Sequence, residues 1–254
     1  MGRLDKMVLV VTGGASGIGK ATAIRCAQEG AKVAVCDVQD AGGKETVETI
    51  VKEGFAAKYY HMDVTSEREV EKTFKRIVSE LGVITGLVNN AGIADPKNDT
   101  KPLHEGSLEV WERLLQVNLI GVLLCTKHAL PYMIEAGKGT IVNVASVAAV
   151  VGLSNIGYTA SKGAVYSLTR NIAVNYAKYN IRVNSVTPGF IDTPMLRLIQ
   201  KEMSTKPEDR AKAIPLNRLG APEEVASVIA FLLSEDASYV TGANIAIDGG
   251  FTAK

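Results

Sequence analysis

Seven short runs rich in β-branched and other apolar residues recur along the chain, separated by longer stretches of helical character. They begin at Met7 (MVLVVT), Lys32 (KVAVCD), Ala56 (AAKYYHM), Gly86 (GLVNN), Thr140 (TIVNVAS), Ile181 (IRVNSVTP) and Ala243 (ANIAID). The runs are continuously apolar rather than alternating. That is the pattern of strands buried on both faces of a parallel sheet. Helical segments are expected at Ile18 to Glu29, Ala41 to Glu53, Glu67 to Leu81, Leu108 to Glu135, Gly157 to Tyr179 and Pro222 to Leu233. Strand and helix in alternation predict a doubly wound α/β fold, with about seven parallel strands and helices on both faces. The 254 residues contain no repeat and no Pro-, Gly- or Ser-rich linker, so residues 1–254 are expected to form one domain. The stretch from Gly189 to Gly220 is longer than an ordinary connection and is read as a substrate loop or lid.

The first strand ends in TGGASGIG, from Thr12 to Gly19. Gly13, Gly17 and Gly19 let a backbone turn tightly and approach a pyrophosphate, and the N-terminus of the following helix offers free N–H groups. The spacing is G-x-x-x-G-x-G, and tight geometry alone would also explain it. The second strand ends at Asp37, eighteen residues beyond Gly19. An acid there can accept hydrogen bonds from ribose hydroxyls, or it can simply cap the next helix. As a ribose acceptor it would repel a 2′-phosphate. Like charges ~4 Å apart at an effective dielectric near 20 cost on the order of 4 kcal/mol. No Arg or Lys lies between Thr12 and Gly19 or directly after Asp37, so NAD is expected rather than NADP.

Other functions are disfavoured by composition. The formal net charge is +1 with no basic cluster, so neither nucleic acid nor an anionic membrane is expected as a partner. Cys26, Cys36 and Cys125 are odd in number and widely spaced, as are His61, His104 and His128, so no disulfide framework or metal site is expected. The opening MGRLDKMVLVV leads straight into the first strand, and no apolar run approaches ~18 residues. A cytoplasmic location is the expectation.

Further along stands YTASK, with Tyr158 and Lys162 at i and i+4, on one face of the expected helix. Alone, this pair is an interface aromatic beside a solvated charge, or a proton-transfer device. The chain resembles the short-chain dehydrogenase/reductase family through TGGASGIG, Asp63-Val64, NNAG at Asn89, Asn118 in QVNLIG, Ser146 in NVASVAA, YTASK and Pro188-Gly189. The resemblance covers nearly the whole chain. It implies a Rossmann-like single domain, a nicotinamide cofactor and a homotetramer. It places Asn118, Ser146, Tyr158 and Lys162 in catalytic roles. It puts Gly13, Ser16, Ile18, Asp37, Asp63, Val64, Asn90, Gly92, Tyr158 and Lys162 near the cofactor, with Pro188, Gly189, Ile191 and Thr193 bordering the nicotinamide.

The chemistry fits these residue types. Removing a hydride and a proton from an alcohol requires a base, and a free tyrosine has a pKa near 10. Bringing it near 7 takes roughly 4 kcal/mol of preference for the phenolate. The Lys162 charge and the oxidised nicotinamide ring would both act in that direction. The Ser146 hydroxyl can hold the substrate oxygen, and the resemblance gives Asn118 a part in a proton-conducting water chain.

Ala148, Val150, Val151 and Leu153, with Phe190, Met195, Leu196, Leu198, Ile199 and Met203, would make an apolar pocket mouth, or close a core or subunit contact. An apolar mouth favours a secondary alcohol or ketone with a hydrocarbon body, with Ser146, Ala148, Leu153, Tyr158, Phe190, Met195 and Leu196 as its contacts. Arg197 and Lys201 share a helix face that could meet an acidic partner or only water. Two alternatives stand beside the alcohol dehydrogenase reading. One is a 3-oxoacyl-carrier-protein reductase, which Asp37 weakens. The other is a non-enzymatic dinucleotide-binding module, which the complete tetrad argues against. A small-residue face at Ala160, Ala164 and Ser167 suits subunit packing.

Overall fold

The computed structural model describes residues 2–153 and 155–254. The strands are β1 Val8–Thr12, β2 Lys32–Asp37, β3 Ala57–His61, β4 Gly86–Asn89, β5 Gly139–Val144, β6 Ile181–Pro188 and β7 Asn244–Ile247. The helices are α1 Gly17–Gln28, α2 Asp40–Lys52, α3 Glu67–Leu81, α4 Leu108–Leu115, α5 Gly121–Glu135, α6 Ile156–Tyr176, α7 Pro194–Glu202, α8 Pro207–Ala211 and α9 Pro222–Leu233. All seven strands pair in parallel in the order β3-β2-β1-β4-β5-β6-β7.

The continuous apolarity of the central strands follows from this sheet. Side chains alternate between faces along a strand. Leu9, Val11, Val33, Val35, Val142 and Val186 face a core built with α1, α2 and α9. Val8, Val10, Ala34, Cys36, Ile141 and Val183 face a second core built with α3, α5 and α6. Both layers exclude water, so neither face tolerates a polar residue without a partner. The edge strands depart from the expected pattern. In β3, Lys58 and His61 are exposed, because an edge strand has a neighbour on one side only.

Three differences from the sequence reading bear on the site. The stretch expected as one helix from Leu108 to Glu135 is interrupted by a π turn at Gln116–Ile120, which contains Asn118. This stretch has the length and mean apolarity of a membrane span although no uninterrupted run makes it so. Leu114, Val122, Cys125, Ala129 and Met133 from it are nevertheless packed in the interior. The loop from Gly189 to Gly220 carries two short helices, α7 and α8, and is pinched at its neck by a bridge between Ile191 and Gly220.

The cysteines are buried thiols. Burial pushes Cys125 up to about 12, which marks it as an apolar filler rather than a nucleophile. Among the described residues, no group of three His, Cys, Asp or Glu side chains is assembled for a metal.

Candidate active site

β1 pairs with β2 on one side and β4 on the other, while β2 and β4 continue into crossovers on opposite halves of the sheet. A crevice opens at the carboxyl end of β1 where the order reverses. Gly13 sits there with φ +66°, and a Cβ on it would lie 2.8 Å from both Ala91 Cα and Asn90 Nδ2. A Cβ on Gly19 would stand 2.0 Å from the Gly13 carbonyl oxygen. These glycines let the first turn of α1 press against the strand end and direct its N–H groups into the crevice. Thr12 and Asn90 lock the arrangement. Thr12 Oγ1 accepts from the N–H groups of Asn90 and Ala91 at 3.0 and 3.1 Å, and Asn90 Nδ2 donates to the Thr12 and Gly13 carbonyls at 3.0 Å.

Asp37 braces the turn from the end of β2. Its Oδ2 accepts from the Ala15 N–H inside the glycine turn, and its Oδ1 from the Gln39 N–H at the start of α2, both at 2.9 Å. A carboxylate offers about four lone-pair sites, so two bonds leave acceptor capacity toward the crevice that Asp37 lines.

Ser146, Tyr158 and Lys162 line that same crevice, at the other side of the switch point. Ser146 follows β5 and caps a short turn, its Oγ accepting from the Ala148 N–H at 3.2 Å. Tyr158 and Lys162 sit in the first two turns of α6. Lys162 is almost wholly buried, and its ammonium donates to the Val144 carbonyl at 2.8 Å. Its Nζ lies 5.9 Å from the centre of the Tyr158 ring. Burial pulls the Lys162 amine down to about 8. Burial also pushes the Tyr158 phenol above its ordinary value, against a hydrogen bond with Ser146 that favours the phenolate. The sequence argument expected Lys162 and the oxidised nicotinamide ring together to bring the phenol down. In the chain by itself desolvation dominates.

Asn118 lies behind this group and does not line the crevice. Its Oδ1 accepts from the Ile93 N–H at 2.8 Å, and its Nδ2 donates to the Ile93 carbonyl at 3.0 Å and to Ser161 Oγ at 3.1 Å. It thereby ties the π turn to the strand-end loop and to α6. A Cβ on Gly92 would stand 3.3 Å from Asn118 Oδ1 and 3.4 Å from Lys162 Nζ.

The crevice continues into a cavity of about 730 Å³. Ser16, Gly17, Ile18, Asp63, Val64, Asn90, Pro188, Gly189, Ile191 and Thr193 line it, as do Leu153, Phe190, Met195, Leu196, Ile199 and Met203. Other expected positions fall elsewhere. Gly19 is behind the turn. The Ala148 side chain is buried away from the cavity, and only its N–H serves the site. Val150 and Leu198 are exposed, and Arg197 pairs with Asp192 at 2.8 Å.

Residues that carried no motif also take part. Asp99 is buried, and its carboxylate accepts from the N–H groups of Gly157 and Tyr158 at 2.6 and 2.9 Å. Arg113, paired with Asp95 at 2.5 Å, and Arg210 bring two cations to the cavity wall. No local sequence pattern marks any of these.

A family model described as enoyl-(acyl carrier protein) reductase matches residues 13–252. A cis-4-hydroxycyclohexanecarboxylate dehydrogenase of Sinomonas cyclohexanicum is 45% identical, over 97% of this chain and 96% of its own length. A cyclohexanol dehydrogenase of Acinetobacter sp. (strain SE19) is 39% identical, over 99% and 97%. The crystal structure of levodione reductase superposes with a TM-score of 0.94 at 36% identity, covering 98% of this chain and 99% of that one.

Proposed function

The chain belongs to the short-chain dehydrogenase/reductase family, and from that premise we propose that it is an NAD-dependent dehydrogenase of a ring-bearing secondary alcohol, interconverting it with the ketone. The observation that carries this reading is the meeting of Ser146, Tyr158 and Lys162 in one cavity with the glycine turn. The family is one of oxidoreductases acting on CH–OH groups with a nicotinamide dinucleotide. The turn fits such a group: the absence of a Cβ on Gly13 lets the turn close against Asn90 and Ala91, and the N-terminus of α1 lies open to a pyrophosphate. Gly13, Ser16, Gly17 and Ile18 would hold the phosphates, Asp37 the ribose, Asp63 and Val64 the adenine side, and Ile191 and Thr193 the nicotinamide side. Asp37 supports NAD over NADP by repelling a 2′-phosphate.

When bound, the oxidised cofactor supplies a hydride acceptor and a positive ring charge. Ser146 Oγ holds the alcohol oxygen by a hydrogen bond. Tyr158 takes the alcohol proton as the carbon gives up its hydride, leaving the ketone; in the reverse direction it returns that proton. The desolvated phenol needs added positive charge to ionise, which links base strength to occupancy by the oxidised cofactor. Lys162, fixed by Val144, keeps a cation close to that phenol. Asn118 positions Ile93 and Ser161 rather than contacting the substrate. Relatives named for cyclohexanol and for a hydroxycyclohexanecarboxylate support a ring as the apolar body. The carrier-protein reading has the family model's description behind it and Asp37 against it. We further propose a cytoplasmic homotetramer.

The test is a panel of cyclic and open-chain alcohols, ketones and acyl thioesters, followed at 340 nm with each cofactor. Cyclohexanol with NAD should turn over, and Tyr158→Phe should lose at least about 100-fold in kcat. Equal or better kcat/KM with NADPH would overturn the NAD assignment, and near-normal turnover by the Phe variant would overturn the role of Tyr158.

A further inference from the structure

Arg210 stands in α8, on the cavity wall, without an acidic partner among the described residues. Its surroundings are apolar or soft. The guanidinium lies 5.1 Å from the centre of the Phe190 ring, which itself packs edge-on against Phe251. Its Nη2 reaches only the Met203 sulfur at 3.8 Å, a weak acceptor. Its Nε is sealed from water and donates to nothing. A guanidinium keeps its charge in any protein environment, and a buried donor left unsatisfied is costly. Burial accordingly lowers the Arg210 pKa, with no acid opposing it.

The other charged groups on the cavity wall are committed. Arg113 pairs with Asp95, and Lys162 donates to Val144. Asp63 accepts from the Thr65 N–H and hydroxyl, and Asp99 from the start of α6. Asp37 is held by two backbone N–H groups. That leaves one uncommitted cation in a largely apolar cavity, on the lid rather than at the phosphate cradle.

We propose that Arg210 anchors a carboxylate carried by the substrate, so that the preferred substrate is a secondary alcohol or ketone with an apolar ring and an acidic group remote from the reacting carbon. The proposal deepens the secondary-alcohol reading and rests on it. A carboxylate matches the guanidinium fork with two parallel N–H···O bonds from its terminal amino groups. The anion would also tie α8 to the substrate, holding the lid against the cavity.

Two measurements test this and separate it from the reading it rests on. The first is kcat/KM with NAD for cis-4-hydroxycyclohexanecarboxylate relative to cyclohexanol, in the wild type, Arg210→Gln and Arg210→Lys. The wild type should prefer the acid, and that ratio should fall about 10- to 100-fold in Arg210→Gln, the scale of a charged hydrogen-bonded pair. The loss should lie mainly in KM, with part of the ratio restored in Arg210→Lys. The second is calorimetric binding of cyclohexanecarboxylate and cyclohexanecarboxamide to the NADH-loaded protein, which needs no turnover. The acid should bind at least about tenfold tighter, and Arg210→Gln should abolish the difference.

Turnover of cyclohexanol without any preference for the acid, in rate or in binding, overturns the anchor and leaves the alcohol reading standing. Tighter binding of the acid with no turnover of either alcohol overturns the alcohol reading and leaves the anion site. A loss in Arg210→Gln confined to NAD affinity would assign the residue to the cofactor phosphate and overturn the proposal.

Discussion

Lys162 holds its amine in the interior, bonded to one carbonyl, with a pKa drawn down to about 8 by burial. An unfolded lysine titrates near 10.4. Below about pH 8 the folded protein carries the full cost of the buried charge. Between about pH 8 and 10.4 the unfolded chain binds the proton and the folded chain does not, so this group makes stability rise with pH. Lys162→Met removes the buried charge at similar volume. The cofactor-free variant should therefore be as stable as the wild type or more so at pH 7, by up to about 3 kcal/mol. The difference should shrink steadily toward pH 10, while activity falls at least about 100-fold. Denaturant unfolding at several pH values checks this, and a constant difference across that range would refute it. The sequence showed the Tyr158–Lys162 pair clearly, because an i,i+4 relation is local. It did not show that the lysine would be engaged by Val144, whose carbonyl comes from a different element.

At the scale of elements, α6 carries Tyr158 and Lys162, and its N-terminus is fixed from outside. Asn155, the cap residue, makes no side-chain cap bond. The Asp99 carboxylate takes that place on the N–H groups of Gly157 and Tyr158, where it also favours the positive end of the helix. Gly157 allows the close fit, since a Cβ there would meet Trp111 and Leu114 of α4 at 2.8 and 2.9 Å. Asp99→Ala should cost about 1–2 kcal/mol in denaturant unfolding. It should also lower kcat more than it raises KM, because it loosens the turn that bears Tyr158; unchanged kcat would refute the positioning role. The Asn98-Asp99-Thr100 segment gave no hint of this, since its partner helix starts far along the chain. By contrast, α7 and α8 had local signals that went unread. Each opens on a proline, as α9 does; Thr193 adds a side-chain cap to α7, and Glu208 and Asp209 add an acidic first turn to α8. Both helices are short and lie in a long connection, so the lack of a sustained apolar period hid them.

Over the whole molecule, seven parallel strands bring Gly13, Asp37, Ser146 and Tyr158 to one end of the sheet, because strands that run together end together. The outer face of α6 exposes Ala160 and Ser167, with Val174 80% exposed. Small residues and a bare valine suit close contact with a second copy. Sedimentation at micromolar concentration should give four times the 27.0 kDa chain mass, and Ser167→Arg should lower it; a wild-type monomer would refute the tetramer. The sequence by itself determined the parallel sheet, the glycine turn after β1 and the placing of Tyr158 and Lys162 on one helix face. Each of these is written in periodicity or short spacing, which depend on backbone geometry within a few residues. Only the tertiary structure decided that Asp37 braces the cradle, that Asn118 works through Ile93, that Asp99 caps α6 and that Arg210 stands unpaired over Phe190. These depend on which groups lose water together, and desolvation is set by neighbours that the chain supplies from tens of residues away.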